Sequence, residues 1–308
     1  MSELKILQVP DGLAGTRVDA GVAKMLGLSR TAIAELVDAG KVTSAGKALS
    51  KSDRLNADQL VEVDLEAPKN NLLINADEVP GFQIIYQDDH LVVIDKPAGV
   101  AAHPSVGWVG PTVPGALLSL GIQLSTSGAA ERQGIVQRLD VGTSGLMVLA
   151  KSELAYSRLK QAFRDRAVHK TYHALVQGHL DPLAGTFDAP IARHPKSEYK
   201  FHVAEVGKDS VTHYQTLEML RAASLVEVIL ETGRTHQIRV HFSAFRHPLV
   251  GDTMYGADPS LAAKLKLDRQ WLHAVKLGFE HPVTGESVEF ESAYPADLVD
   301  ALESLRSA

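Results

Sequence analysis

Gly134-Ile-Val-Gln-Arg-Leu-Asp-Val-Gly-Thr-Ser-Gly-Leu-Met-Val-Leu-Ala-Lys151 sets a carboxylate, Asp140, two residues after an arginine, Arg138, in a loop rich in turn residues. The apolar run Leu146-Met-Val-Leu-Ala150 that follows reads as a buried strand. A cation beside an acid favours its charged form, and that form is what a carboxylate nucleophile needs. Taken alone, Asp140 could as well cap a turn and Arg138 pair on the surface, because so short a motif has little specificity. The remaining segments decide between the two.

The 308 residues suffice for about two domains. A hydrophobic content of 45% and a charged content of 22% describe an ordinary globular chain. No apolar run approaches the length of a membrane span. The start, Met1-Ser-Glu-Leu-Lys5, lacks the charged and apolar regions of a secretion signal, so the cytoplasm is the expected address. The lack of cysteine excludes disulfides, thiolate metal sites and thiol catalysis together. A net charge of -6 argues only mildly against nucleic acid, since phosphate binding depends on where the cations lie.

Residues 16–65 read as one small unit. Val18, Val22, Met25 and Leu26 lie at helical spacing, and Ser29 is placed to cap a second helix through Ile33, Leu36 and Val37 that closes at Gly40. Short β-like pieces follow at 41–43 and 60–65. Arg17, Lys24, Arg30, Lys41, Lys47, Lys51 and Arg54 recur through the unit and together suggest a surface that tracks phosphates. Residues 66–81, with Pro68, Asn70, Asn71, Pro80 and Gly81, have linker composition. Beyond them, strands are expected at 84–86, 91–95, 145–150, 171–176, 211–217 and 225–230, with a helix over 155–163. Short connections such as Tyr86-Gln-Asp-Asp-His90 favour a largely antiparallel sheet carrying helices, an α+β arrangement.

Three segments stand beside Asp140. Asp95-Lys-Pro-Ala-Gly-Val-Ala-Ala-His-Pro104 leaves a strand through a Pro/Gly turn. His169-Lys-Thr-Tyr-His-Ala-Leu-Val-Gln-Gly178 puts Tyr172 and Ala174 on one strand face and His173 and Leu175 on the other. In Glu231-Thr-Gly-Arg-Thr-His-Gln-Ile-Arg-Val-His241 a strand ends at Gly233 and a helix is expected to begin at Arg234, with Ile238 and Phe242 on its inward face. A connecting loop, a half-buried strand tyrosine and surface charge at Arg234 and Arg239 would explain each segment singly. All three coincidences together are hard to hold.

These segments resemble the RluA/RluD-type pseudouridine synthases. The run around Arg138-Leu-Asp140 looks like that family's catalytic motif, and Gly233-Arg-Thr-His-Gln-Ile-Arg-Val-His241 and His247-Pro-Leu-Val-Gly-Asp-Thr-Met-Tyr-Gly256 are similar to its C-terminal signature. The first unit resembles the small S-four-type RNA-binding domain of ribosomal proteins. One position departs from the pattern: Gln137 stands where the family usually has histidine.

The resemblance implies a pseudouridine-synthase fold, α+β, with a mixed, mainly antiparallel sheet and flanking helices over 76–308, preceded by a small α/β RNA-binding domain over 15–75. It implies an isomerase that flips a uridine out of folded RNA and reattaches the base through C5, with large-subunit ribosomal RNA as substrate, free or in an assembling subunit. Asp140 would be the nucleophile on C1′ of the sugar or C6 of the base. Arg234 would pair with Asp140, and Tyr172 would stack on the base and relay the C5 proton. Arg138 would fill the vacated space or hold a phosphate. Leu139, Ile238, Arg239, Arg30 and Lys41 complete the expected substrate contacts. No cofactor or metal is implied, and nothing in the chain demands more than a monomer. Two other classes compete: a glycosidase-like hydrolase, which needs a second carboxylate that the motif lacks, and a non-enzymatic RNA chaperone or assembly factor, which has no need of Asp140, Tyr172 and Arg234 together.

Overall fold

The computed structural model describes residues 3–28, 30–65, 74–105, 107–129, 132–197 and 199–307. The chain divides into two compact units, Met1–Asn71 and Leu72–Ala308. Ser29 and half of the expected linker lie outside the described residues.

The first unit runs β1 (Glu3–Gln8), α1 (Val18–Leu26), α2 (Arg30–Asp38), β2 (Val42–Ser44), β3 (Lys47–Ala48) and β4 (Leu60–Leu65). Its sheet has the order β1-β4-β2-β3. Val18 and Val22 on α1 and Ile33 and Val37 on α2 are one turn apart, and each pair packs on Val42, Val61 and Val63. Gly27 closes α1 in the left-handed conformation that a helix stop favours. Strand β1 precedes the expected domain start at residue 15 and belongs to this unit through its full-length antiparallel pairing with β4.

The second unit contains β5 (Gln83–Gln87), β6 (Leu91–Lys96), α3 (Val113–Ser119), β7 (Ser144–Ala150), α4 (Glu153–Arg164), β8 (His169–Gln177), β9 (Ala184–Asp188), β10 (Ile191–Arg193) and β11 (Phe201–Val203). It continues through β12 (Val211–Met219), β13 (Ala223–Leu230), α5 (Gln237–Ala244), α6 (Pro259–Lys264), β14 (Leu272–Glu280), β15 (Ser287–Glu291) and α7 (Ala296–Arg306). Nine strands form one sheet in the order β5-β6-β7-β14-β8-β13-β12-β9, with β15 paired to β14. All its pairings are antiparallel except β7 with β14. The fold class is therefore α+β with a mixed, mainly antiparallel sheet.

Both sheet faces are covered, as the alternation along β8 requires. Tyr172, Ala174 and Val176 join Val226, Val228 and the α5 residues Ile238 and Phe242 in one core. Leu175 points the other way, to Trp271 and the α7 residues Leu298 and Leu302. Ala155 and Leu159 of α4 seal Leu91, Val93 and Val148. At the junction of β7 and β14, Gly145 has φ +113°, and a Cβ there would lie 2.4 Å from the Ala274 carbonyl oxygen, so only glycine fits. That close approach seats the 134–143 loop at the mouth of the two central strands.

Candidate active site

The loop ahead of β7 is tied down on three sides. Gly134 accepts from the Ala150 amide at 2.9 Å, Asp140 O closes a turn with the Thr143 amide at 3.0 Å, and Val141 O accepts from the Gly99 amide at 2.8 Å. Arg269 donates to Gly142 O at 3.1 Å and to Ser144 Oγ at 3.3 Å, and Gln270 donates to Thr143 Oγ1 at 3.1 Å. Leu139 turns into the core, while Asp140 remains partly accessible. Asp140 lines a cavity of about 640 Å³ with Arg138, Tyr172, Arg234, Ile238 and Arg239. With Leu139, which also lines it, seven sequence-selected residues thus meet in one place. Arg30 and Lys41 lie in the other unit.

The partner of Asp140 differs from the expectation. Arg239 Nη1 donates to Asp140 Oδ2 at 3.3 Å. Arg234 instead donates through Nε to Asp209 O at 3.0 Å and stands exposed on the rim. The reason is helical phase. Arg234 precedes α5 in an irregular turn, whereas Arg239 sits beside Ile238 on the buried face of the helix. Gln237 fixes that turn: its Oε1 accepts from the Arg234 amide and Thr232 Oγ1, and its Nε2 donates to Val211 O and Thr212 Oγ1.

Arg239 is itself clamped. Its Nε and Nη2 donate to Asp252 at 2.7 and 2.9 Å in a fork-to-carboxylate pair, and its plane lies over the Tyr255 ring at 4.8 Å. Burial disfavours the charge on Arg239, but the bonds to Asp252 and then Asp140 outweigh it and hold the guanidinium above its ordinary value. His236 caps α5 in the left-handed region at φ 57°, its Nδ1 bonded to the Tyr255 hydroxyl at 2.7 Å and its Nε2 3.9 Å from Asp140 Oδ1. Burial first, opposed by the charge of Asp140, holds this histidine below its usual value, so it is neutral at pH 7.

Tyr172 is buried, and its hydroxyl makes no hydrogen bond among the described residues. Burial, and then the charge of Asp140, push its phenol well above the ordinary range. It stays protonated at neutral pH, suited to stacking and donation rather than to acting as a free base. Lys96, fully buried, donates to Pro97 O, Val100 O and Val141 O at 3.0, 2.9 and 3.4 Å. Burial lowers it to about 7 against the opposing charge of Asp140. Gln137 lines the cavity, and its buried Nε2 has no hydrogen-bond partner among the described residues.

Asp252, Tyr255, His236 and Lys96 received no role from the sequence, although all four stand in the quoted motifs. Arg269 and Gln270 carried no such signal. Apart from Asp140, the one carboxylate lining the cavity among the described residues is Glu231, which is bonded to Arg166 and His213 at 2.8 Å each. A paired carboxylate on the rim is a poor general base for hydrolysis.

The family described as RNA pseudouridylate synthase matches residues 90–244. A protein of Mycobacterium bovis named an uncharacterized RNA pseudouridine synthase is 58% identical over 303 residues, covering 97% of both chains. The ribosomal large subunit pseudouridine synthase D of Nitrosomonas europaea is 40% identical over 307 residues, covering 98% of this chain and 88% of its own. Among solved structures, human RNA pseudouridylate synthase domain containing 1 is similar at 26% identity and a TM-score of 0.58, covering 75% of this chain and 97% of its own.

Proposed function

The chain belongs to the RNA pseudouridylate synthase family, isomerases acting on RNA, and from that premise we propose that it isomerises uridines of large-subunit ribosomal RNA with Asp140 as nucleophile. The observation that carries the assignment is the Asp252–Arg239–Asp140 chain at the floor of the cavity: a buried arginine, fixed by one carboxylate, aims the other into open space.

In the route through the sugar, Asp140 forms a bond to C1′ as the C1′–N1 bond breaks, and the electron pair leaves with uracil. The base rotates, C5 attacks C1′, and the Asp140 ester bond breaks. C5 then loses its proton and N1 gains one, so no water is consumed and no second carboxylate is needed. In the route through the base, Asp140 adds to C6 as the C5–C6 π pair shifts onto the base. C1′–N1 then breaks, C5 bonds C1′, and loss of the C5 proton expels Asp140 from C6 while N1 gains a proton. Tyr172 supplies a plane for the flipped ring, and Ile238 and Leu139 shape the apolar floor. Extruding the base costs a few kcal/mol, and Arg138, exposed at the cavity, is suited to fill the vacated space or bind a phosphate.

The first unit is proposed as an S-four-type RNA-binding module, supported by its two helices packed on a small sheet. Arg17 and Arg30 both bond Asp19, at 3.1 and 2.8 Å, so its basic surface is partly neutralised. Arg30 keeps a 62% exposed side chain with free donors for a phosphate. Lys41 is the second proposed contact. The protein is proposed to work as a cytoplasmic monomer, on free RNA or on an assembling subunit.

Release of tritium from large-subunit ribosomal RNA labelled at uridine C5 tests the activity. Release matched by an equal yield of pseudouridine is expected; none with intact, bound RNA would rule out the assignment. Removing residues 1–71 should weaken RNA affinity and flatten its salt dependence, and unchanged binding at raised salt would remove the module's role.

A further inference from the structure

The cavity that holds Asp140 inverts the charge of the chain. The protein carries 37 acidic and 31 basic residues, yet among the described residues lining this cavity eight are Lys or Arg and two are acidic. Both acids are already taken, Asp140 by Arg239 and Glu231 by Arg166. Three cations on the α4 side have no ion pair among the described residues: Lys160, Arg164 and Lys170. Lys160 and Arg164 are exposed and four residues apart, one turn along the same face of α4, where like charges repel. Lys170 follows on β8 with its ammonium 5.7 Å from the Phe163 ring, which also lines the cavity between the two α4 cations.

Clustered cations without counter-charges cost folding stability and are better matched to an anionic partner. A cationic track interleaved with an aromatic ring is the chemistry that holds single-stranded nucleic acid, with phosphates on the cations and a base on the ring. We propose that Lys160, Arg164 and Lys170 form a phosphate rail along one wall of the cavity, with Phe163 as a stacking platform. The rail takes the unpaired nucleotides that flank the extruded uridine. This assignment rests on the isomerase reading for its uridine, but not for its RNA. It gives α4, which lies outside the motif segments, and Lys170 at the start of β8 the task of holding the strand while Asp140 works.

The test is the salt dependence of equilibrium binding of the full chain to an unmodified large-subunit ribosomal RNA transcript. Each lost phosphate contact lowers the slope of log affinity against log salt by about 0.7 to 0.9. Lys160→Gln/Arg164→Gln should therefore lower the slope by roughly 1.4 to 1.8 and weaken binding roughly fifteen- to thirtyfold near physiological salt. Phe163→Leu, which keeps apolar bulk, should weaken binding by about tenfold without changing the slope. A control, Lys264→Gln/Lys266→Gln, makes the same change in net charge at exposed sites that do not line this cavity and should leave both quantities unchanged. An unchanged slope in the α4 variant, or an equal fall in the control, overturns the proposal. So does a loss confined to turnover with affinity intact. If the wild-type chain and the α4 variant differed by this slope but the wild type released no tritium, the isomerase reading would fail while the rail stood.

Discussion

Arg239→Lys and Arg234→Ala separate the two arginines that compete for Asp140. Arg239 makes three charge-assisted bonds, two to Asp252 at 2.7 and 2.9 Å and one to Asp140 at 3.3 Å. A lysine keeps the charge but lacks the planar fork that spans both carboxylates, so at least the Asp140 bond or one Asp252 bond is lost. A hydrogen bond to a charged group is worth about 1.5–3 kcal/mol. If that value is expressed in the transition state, kcat falls roughly ten- to hundredfold. Stability should fall by a similar amount, because the Asp252 side chain is 1% exposed and loses part of its compensation. Arg234→Ala removes an exposed side chain whose one bond goes to Asp209 O, so kcat should change less than about threefold, a difference below ~1 kcal/mol. Single-turnover tritium release at saturating RNA, measured well below the melting temperature of each variant, reads the chemical step. If Arg234→Ala costs more in that assay than Arg239→Lys, the pairing of Arg239 with Asp140 is not the one that matters in catalysis.

Two further outcomes follow from buried polar groups. His273 is fully buried between Ser144 Oγ at 2.8 Å and Ser292 Oγ at 3.0 Å, and burial followed by the charge of Arg269 lowers it to about 4 from 6.5. The native state therefore resists its protonation: the stability it contributes is complete above pH 6.5 and is lost as pH falls through about 4. The gap is worth about 3 kcal/mol, so wild type should lose that much more than His273→Gln between pH 7 and pH 4 in urea unfolding; equal losses would refute the assignment. Gln137→Met removes a buried amide donor without a partner and should raise the unfolding free energy by about 1 kcal/mol; a fall of that size would mean the amide is satisfied after all.

Local pattern carried the parts of the fold that obey one period. The α1 and α2 spacings, the apolar run of β7 and the alternation Tyr172-His-Ala-Leu175 all read correctly because each segment faces its core in a simple rhythm. Strand β14 did not: buried on both faces along most of its length, interrupted by His273 and Gly278, it shows neither alternation nor an unbroken apolar run. Strands β10 and β11 are three residues each and too short for any period to register. Strand β1 escaped notice because exposed Leu4 and Ile6 share one face, leaving little inward signal.

At the site, residue types in the motifs were sufficient to gather Asp140, Arg138, Leu139, Tyr172, Arg234, Ile238 and Arg239 around one cavity. Pairing was not legible, since it turns on where α5 starts. An irregular turn held by Gln237 moved that start to residue 237 and set Arg239 rather than Arg234 against Asp140. Arg269, which reaches the Asp140 loop from 127 residues away in sequence while tied to Asp297 of α7, has no local signature at all.

The nucleophile is the centre of the account, and Asp140→Ala probes it most directly. The measurement is tritium release from C5-labelled large-subunit ribosomal RNA, with binding of the same RNA followed in parallel. The expected result is no detectable release and an RNA affinity within a few-fold of wild type, a difference below ~1 kcal/mol. Substantial release by the variant would contradict the assignment of Asp140.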